Sequence, residues 1–299
     1  MRARVLGIDV DAALLTAWRD WLAPEIQPFF VESLRRWPKL HDRHELQPEL
    51  HYTYTLWNVP RRLKTLWLDE ATFFELPRAA RAALVRDQVT CGRGAVPTVR
   101  KWADLSDATE LRSQADGHRF VWWPSLIAHS YREVCARFVE SDGLPPYPRT
   151  AAPSRHREVP NSTWRACAAV VPGARSLAGT FPFPAGANCF GTVMAASGIA
   201  SATNEWMLRE PFLAWLRSAC RPGGRDEDPG TVLVWRDHAG LPVHAAVTMG
   251  DGWAFEKASG AWWTPRVVAP VDELIRTNRS VGLRLERHHI ARQLPRENA

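Results

Sequence analysis

Hydrophobic residues in the first 150 positions recur at the three- and four-residue spacing of an amphipathic helix. Over residues 11–37 the pattern predicts two short helices, with Pro24 between them and Pro38 after them. Their apolar stripe contains Leu14, Leu15, Trp18, Trp21 and Leu22. Further helices are predicted over residues 76–88 and 124–141, each with a proline near its start. We therefore expect the first half of the chain to be mainly helical.

The second half changes from a helical period to a strand-like one. A helix is predicted directly after Cys189 and another over residues 205–219, whereas residues 164–171 fit either a strand or a short helix. Three short β-rich runs follow, separated by turns rich in Gly and Asp, over residues 230–235, 243–249 and 253–257. Strands joined by such tight turns form an antiparallel meander.

Residues 143–160 separate the two patterns. This stretch contains five prolines among Ser, Arg and Thr, a composition that supports neither a helix nor a central strand. We interpret it as a linker between a mainly helical domain over residues 1–150 and a second domain over residues 161–299. The fold class predicted for the whole chain is α+β.

Composition excludes several classes of protein. The chain has 299 residues, of which 45% are hydrophobic, and it contains no apolar run long enough to span a membrane. Asp9 and Asp11 interrupt the place where a secretory leader would need apolar residues. The five cysteines are an odd number without a CxxC pair, which argues against a disulfide framework and a structural zinc site. We therefore expect a cytoplasmic protein that needs no metal or other cofactor and no membrane.

The net charge of +6 does not by itself indicate nucleic acid as a partner. Basic residues are scattered along the chain, and the densest run, residues 61–64, is flanked by core-type Leu and Trp. We expect these charges to lie on a solvated surface. A basic nucleic-acid binder formed by residues 1–150 remains an alternative that steep salt dependence of binding would support.

Candidate chemistry is concentrated in the second half. A helix that opens at Cys189 aims its free N–H groups at the sulfur and favours the thiolate form. His244, at the start of a strand, is a candidate base for that nucleophile. Glu256 lies one hairpin later with the parity that faces the same side, so its carboxylate is placed to orient the imidazole. The other four cysteines are expected to be small hydrophobic core residues.

At these positions the chain resembles the NlpC-like branch of the papain-fold thiol hydrolases. Residues 188–191 read Asn-Cys-Phe-Gly, as at the start of that family's nucleophile helix, and residues 230–235 stand in for its Gly-Asp-hydrophobic strand, with Thr231 where Asp is usual. The family's His strand and Gly-x-Gly turn are matched by residues 244–252. Its third polar residue falls at Glu256, where members more often carry His, Asn or Gln. The resemblance covers roughly residues 180–265.

The resemblance implies a papain-like domain in which the nucleophile helix packs on an antiparallel sheet. It further implies a cysteine peptidase or amidase, or a biosynthetic acyltransferase, that passes the acyl group of an amide through an acyl-enzyme. The partner is then a small-molecule or peptide amide substrate, with Cys189, His244 and Glu256 as catalytic residues. Asn188 and three tryptophans near the triad, Trp253, Trp262 and Trp263, are expected to contact the substrate.

Several alternatives stay open at this level. The acyl acceptor is either water or an amine, and the motifs do not distinguish them. A papain-like domain can also serve as a non-catalytic binding or scaffold module, which predicts a buried and unreactive Cys189. His238 is a rival base with the character of a turn residue, and the adjacent pair His288 and His289 offers only weak support for a metal site. The oligomeric state is not encoded in any of these patterns.

Overall fold

The computed structural model describes residues 3–35, 37, 46–114, 118–142, 153–183 and 186–291. The chain divides into two compact units, one formed by Met1–Val5 with Asp9–Pro148 and the other by Leu6–Ile8 with Arg149–Ala299. The first ten residues of the expected linker, 143–152, lie outside the described residues. The architecture is α+β, with helices and antiparallel strands in both halves of the chain.

Residues 3–142 form mostly short helices around a small amount of sheet. The strands are β1 (Ala3–Val5), β2 (Ile8–Val10), β3 (Ile26–Val31) and β4 (Lys64–Asp69). The helices are α1 (Ala12–Leu22), α2 (Pro48–Thr53), α3 (Glu70–Glu75), α4 (Arg78–Thr90), α5 (Val99–Trp102), α6 (Ala108–Gln114), α7 (Pro124–Ile127) and α8 (Tyr131–Arg137), followed by a π-helical turn at Phe138–Asp142.

Helix α1 confirms the first prediction for residues 11–37, and the second predicted helix in that range is wrong. Asp11 caps α1 by accepting a hydrogen bond from the Leu14 N–H, and all five residues of the predicted stripe are buried. Residues 26–31 instead form β3, which pairs antiparallel with β4. The β-branched and aromatic residues of this run suit a strand, and Pro28 is tolerated because a two-stranded sheet has free edges.

The helix predicted over residues 124–141 is interrupted. It is divided into α7, α8 and the π-helical turn, because Ser130 leaves helical geometry with φ −122° and ψ 14°. The helix predicted over residues 76–88 is present as α4.

Residues 153–291 form a six-stranded antiparallel sheet with helices around it. The strands are β5 (Cys220–Pro222), β6 (Pro229–Arg236), β7 (Pro242–Gly250), β8 (Trp253–Lys257), β9 (Arg266–Pro270) and β10 (Arg284–Ile290), in the order β5-β10-β6-β7-β8-β9. The helices are α9 (Asn161–Cys167), α10 (Ala174–Leu177), α11 (Cys189–Ala196), α12 (Arg209–Ala219) and α13 (Val271–Thr277). The predicted meander is therefore confirmed as β6-β7-β8. Residues 164–171 fitted either a strand or a short helix, and the first four of them belong to helix α9.

Helices α11 and α13 place the sheet in the middle of this unit. Helix α11 packs on β7 and β8, whereas α13 packs on β8 and β9. Strands β6 and β7 are almost continuously buried, as expected for strands covered on both faces. All eight residues of α11 are buried, which is the pattern of a helix enclosed in a core.

Candidate active site

Helix α11 begins where the sequence predicts it, because Asn188 caps it. The Asn188 side chain accepts a hydrogen bond from the Gly191 N–H at 3.0 Å and donates one to the Met207 carbonyl at 2.7 Å. Cys189 is thereby held at the first position of α11. Within the described residues the N–H groups of Cys189 and Phe190 have no acceptor. They form the positive end of the helix beside the sulfur.

Gly191 allows the chain that follows α11 to return closely over its first turn. A Cβ at this position would lie 2.8 Å from the Glu205 carbonyl oxygen and 3.1 Å from that of Ala202. The neighbouring 3₁₀ turn at Ala200–Asn204 is also held by Arg266, which donates to the Thr203 carbonyl. The glycine of the Asn-Cys-Phe-Gly motif is therefore a packing requirement of this unit.

Substitution of Gly191 by alanine is expected to lower the free energy of unfolding by about 2 kcal/mol, because backbone oxygens must shift to admit the methyl group. Gly186→Ala is the matched control: its added Cβ would find its nearest atom at 3.9 Å, and we expect a change within about 0.5 kcal/mol. Denaturant unfolding of both variants measures the difference. Equal stability of the two variants would contradict the close approach.

His244 and Glu256 are joined as their strand parity predicts. In the β7–β8 register Ala246 is opposite Glu256, so His244 lies two residues along β7 on the same face. The distance from His244 Nε2 to Glu256 Oε2 is 2.7 Å. Both side chains are buried, with 8% and 5% of their surfaces exposed. The carboxylate therefore fixes the orientation of the imidazole ring.

The Cys189 side chain interacts with the His244 ring, whose Nε2 is bonded to Glu256. Burial disfavours the imidazolium form, but hydrogen bonds to Cys189 and Glu256 and the charges of both groups outweigh it. Together they raise the pKa of His244 from 6.5 to about 10. The histidine therefore keeps its proton beside the cysteine at neutral pH.

Asn278 is a fourth member of the site that sequence reasoning missed. This residue follows the last turn of α13, and its Nδ2 donates to Glu256 Oε2 at 3.1 Å and to the Leu274 carbonyl at 3.1 Å. It thus holds the carboxylate that holds the histidine. A short helix ending in Asn is a visible signal, but nothing in the sequence indicates that this helix packs beside β8.

The four residues expected to contact the substrate are buried or partly buried. Trp262 and Trp263 are each 1% exposed and pack edge to face with ring centroids 5.2 Å apart, so they belong to the core and do not line a cleft. Trp253 is partly buried beneath the Arg155 guanidinium, 5.3 Å from its ring centroid. The Asn188 side chain is occupied by its capping bonds. These four side chains make packing and capping contacts here, and their contact with a substrate stays a prediction.

The other four cysteines have environments that suppress the thiolate. Cys135, Cys167 and Cys220 are buried, and Cys91 is partly buried at the end of α4. Burial raises the pKa of each of these thiols above its ordinary value, for Cys220 to about 12. Cys189 differs from them in having both a helix N-terminus and a protonated histidine beside its sulfur.

The rival residues do not converge on a second site. His238 lies on the exposed turn between β6 and β7. His288 and His289 are neighbours on β10, and His288 Nε2 lies 3.6 Å from Glu286 Oε2. In the described ranges no three His, Cys, Asp or Glu side chains are grouped as a metal ion requires.

Comparison of the chain with protein-family models, with curated proteins and with solved structures finds no match. No helix in the described parts of the chain has the length and apolar character needed to cross a membrane.

Proposed function

We propose that this protein is a cysteine-nucleophile hydrolase or acyltransferase that acts on an amide through an acyl-enzyme. The observation that carries the proposal is the continuous line from Cys189 through His244 to Glu256, with the cysteine at a helix N-terminus. A nucleophile, a base and a group that orients the base are the parts that covalent acyl transfer needs.

The proposed reaction begins with attack of the Cys189 sulfur on the substrate carbonyl carbon. The oxyanion that forms is stabilised by the free N–H groups at the start of α11, a contribution of about 3 kcal/mol in comparable sites. His244 then donates its proton to the leaving amine as the C–N bond breaks. Water or an acceptor amine next attacks the thioester while His244 removes a proton from it, and the thiol is regenerated. Glu256 and Asn278 keep the ring in place throughout.

We also propose that residues 153–291 have a papain-like, NlpC-type fold. Two features support this assignment: the buried nucleophile helix packs on an antiparallel sheet, and the next strands of that sheet supply the histidine and its partner. Glu256 takes the third position, and its 2.7 Å bond to His244 supports a glutamate in that role. The proposed domain organisation is a separate, mainly helical unit before this one.

The substrate that fits this site best is a small peptide or an amino-acid conjugate. Cys189 is 7% exposed and His244 is 8% exposed, so only a narrow part of a substrate can reach the reacting atoms. A biosynthetic role in a reducing, cytoplasmic setting is consistent with five cysteines that all carry free thiols.

The test is the order in which the five cysteines of the native protein react with iodoacetamide at pH 7, mapped by mass spectrometry. We expect Cys189 to be alkylated first, with Cys135, Cys167 and Cys220 labelled only after unfolding. The control is the same reaction in denaturant, in which all five thiols should react at similar rates. If Cys189 reacts only in denaturant, the alternative is favoured: a non-catalytic binding or scaffold module.

A further inference from the structure

A cavity lies beside Glu256 in the second half of the chain. Its volume is about 260 Å³. We call it the Glu256 cavity; its walls include Arg155, Glu256, Ala258, Val267, Ala269 and Glu273. Cys189 and His244 do not line it, so an occupant would not contact the reacting atoms. Its size suits a ligand smaller than those that fill a typical drug-sized pocket.

The Glu256 carboxylate offers an unused acceptor to this cavity. Both of its hydrogen bonds, from His244 and from Asn278, go to Oε2. Within the described residues neither bond goes to Oε1, and Glu256 lines the cavity. The cavity therefore offers a carboxylate oxygen as an acceptor to a ligand that carries N–H groups.

Arg155 supplies the opposite charge in the same cavity. Its Nε and Nη2 donate to Glu158 Oε2 at 2.9 Å and 2.6 Å, and the guanidinium lies over the Trp253 ring. Its Nη1 lies farther from a carboxylate, at 3.8 Å from Glu273 Oε2. The guanidinium is therefore held in place with one of its nitrogens available to a carboxylate.

We propose that the Glu256 cavity binds a small amino-acid-like zwitterion. Its ammonium group donates to Glu256 Oε1 and its carboxylate accepts from Arg155. The same carboxylate orients His244. An occupant that bonds to Glu256 therefore weakens the hydrogen bond between His244 and Glu256 and slows reaction at Cys189. Binding does not depend on the proposed function, whereas this slowing rests on it.

Isothermal titration calorimetry of the full-length protein tests binding, with L-alanine as the probe and propionate and propylamine as partial probes. We expect L-alanine to bind at least tenfold more tightly than either partial probe. Arg155→Gln should remove the advantage of L-alanine over propylamine. If no probe binds, or if the three bind equally, the proposal is overturned.

The matched variants are Ala269→Leu, which fills the cavity, and Ala239→Leu on the exposed β6–β7 turn. Ala269→Leu should weaken L-alanine binding at least tenfold, and Ala239→Leu should leave it unchanged. Ala258→Leu replaces Ala269→Leu if the latter does not fold. Unchanged affinity in a folded cavity-filling variant would place the probe elsewhere and overturn the proposal.

The rate of Cys189 alkylation with and without L-alanine tests the coupling. Saturating L-alanine should slow the reaction severalfold in wild type and not in Ala269→Leu. Binding without any slowing would overturn the coupling. An unreactive Cys189 would instead refute the proposed function, and calorimetry would still decide whether the cavity is a binding site.

Discussion

Replacement of Cys189 by alanine is expected to abolish acyl-enzyme formation. When the wild-type protein is mixed with an activated ester or thioester, intact-mass spectrometry should show one acyl group added at Cys189. The Cys189→Ala variant should show none, and turnover of any accepted amide should fall at least about a thousandfold, since no other group in the site can form the thioester.

Cys220→Ala is the matched control for this loss. Cys220 is also a buried free thiol in the same unit, but burial raises its pKa to about 12, and no histidine of the described residues contributes to that shift. We expect this variant to acylate as wild type does. Retained turnover in Cys189→Ala, or acylation that moves with Cys220, would refute the assignment of the nucleophile.

Removal of the histidine is expected to slow alkylation of Cys189 at least about tenfold at pH 7. With His244 present, its raised pKa keeps a positively charged imidazolium beside the sulfur up to about pH 10. In His244→Ala that charge is absent at every pH. The ratio of the wild-type rate to the His244→Ala rate should therefore stay flat between pH 7 and 9 and fall as the pH passes 10.

Glu256→Gln separates charge from shape in the same experiment. Glutamine can still accept a hydrogen bond from the ring, but it removes the negative charge that helps to raise the pKa of His244. That pKa should fall toward 6.5, so the flat part of the pH profile should end at a lower pH than in wild type. A profile identical to that of wild type would show that Glu256 does not act on the histidine through its charge.

Sequence patterns predicted the elements that depend on neighbours along the chain. The alternation of residues and the Gly-rich turns were enough to predict the β6-β7-β8 meander, since hairpin strands pair with the next strand along the chain. The Asn-Cys-Phe-Gly run was enough for the start of α11, because a cap is made within one turn. Strand parity predicted the bond between His244 and Glu256 across a single hairpin.

Prediction from local patterns failed at positions whose structure depends on segments far away in the chain. Residues 26–31 contain enough apolar side chains to suit a helix or a strand, and pairing with β4 makes them a strand. Trp262 and Trp263 are near the triad in sequence, yet packing buries both in the core. Proximity along the chain does not determine which side of a layer a large side chain faces.

The α+β class, the cap of α11 and the bond between His244 and Glu256 could be predicted from the amino-acid sequence, since the cap and the bond depend on contacts within one helix turn or one hairpin. The pairing of β10 with β6, the bond from Asn278 to Glu256 and the cavity lined by that carboxylate could be found only from the folded structure. These features join segments far apart in the chain. Their contacts depend on how the helices and the sheet pack together, and a local sequence pattern does not indicate that packing.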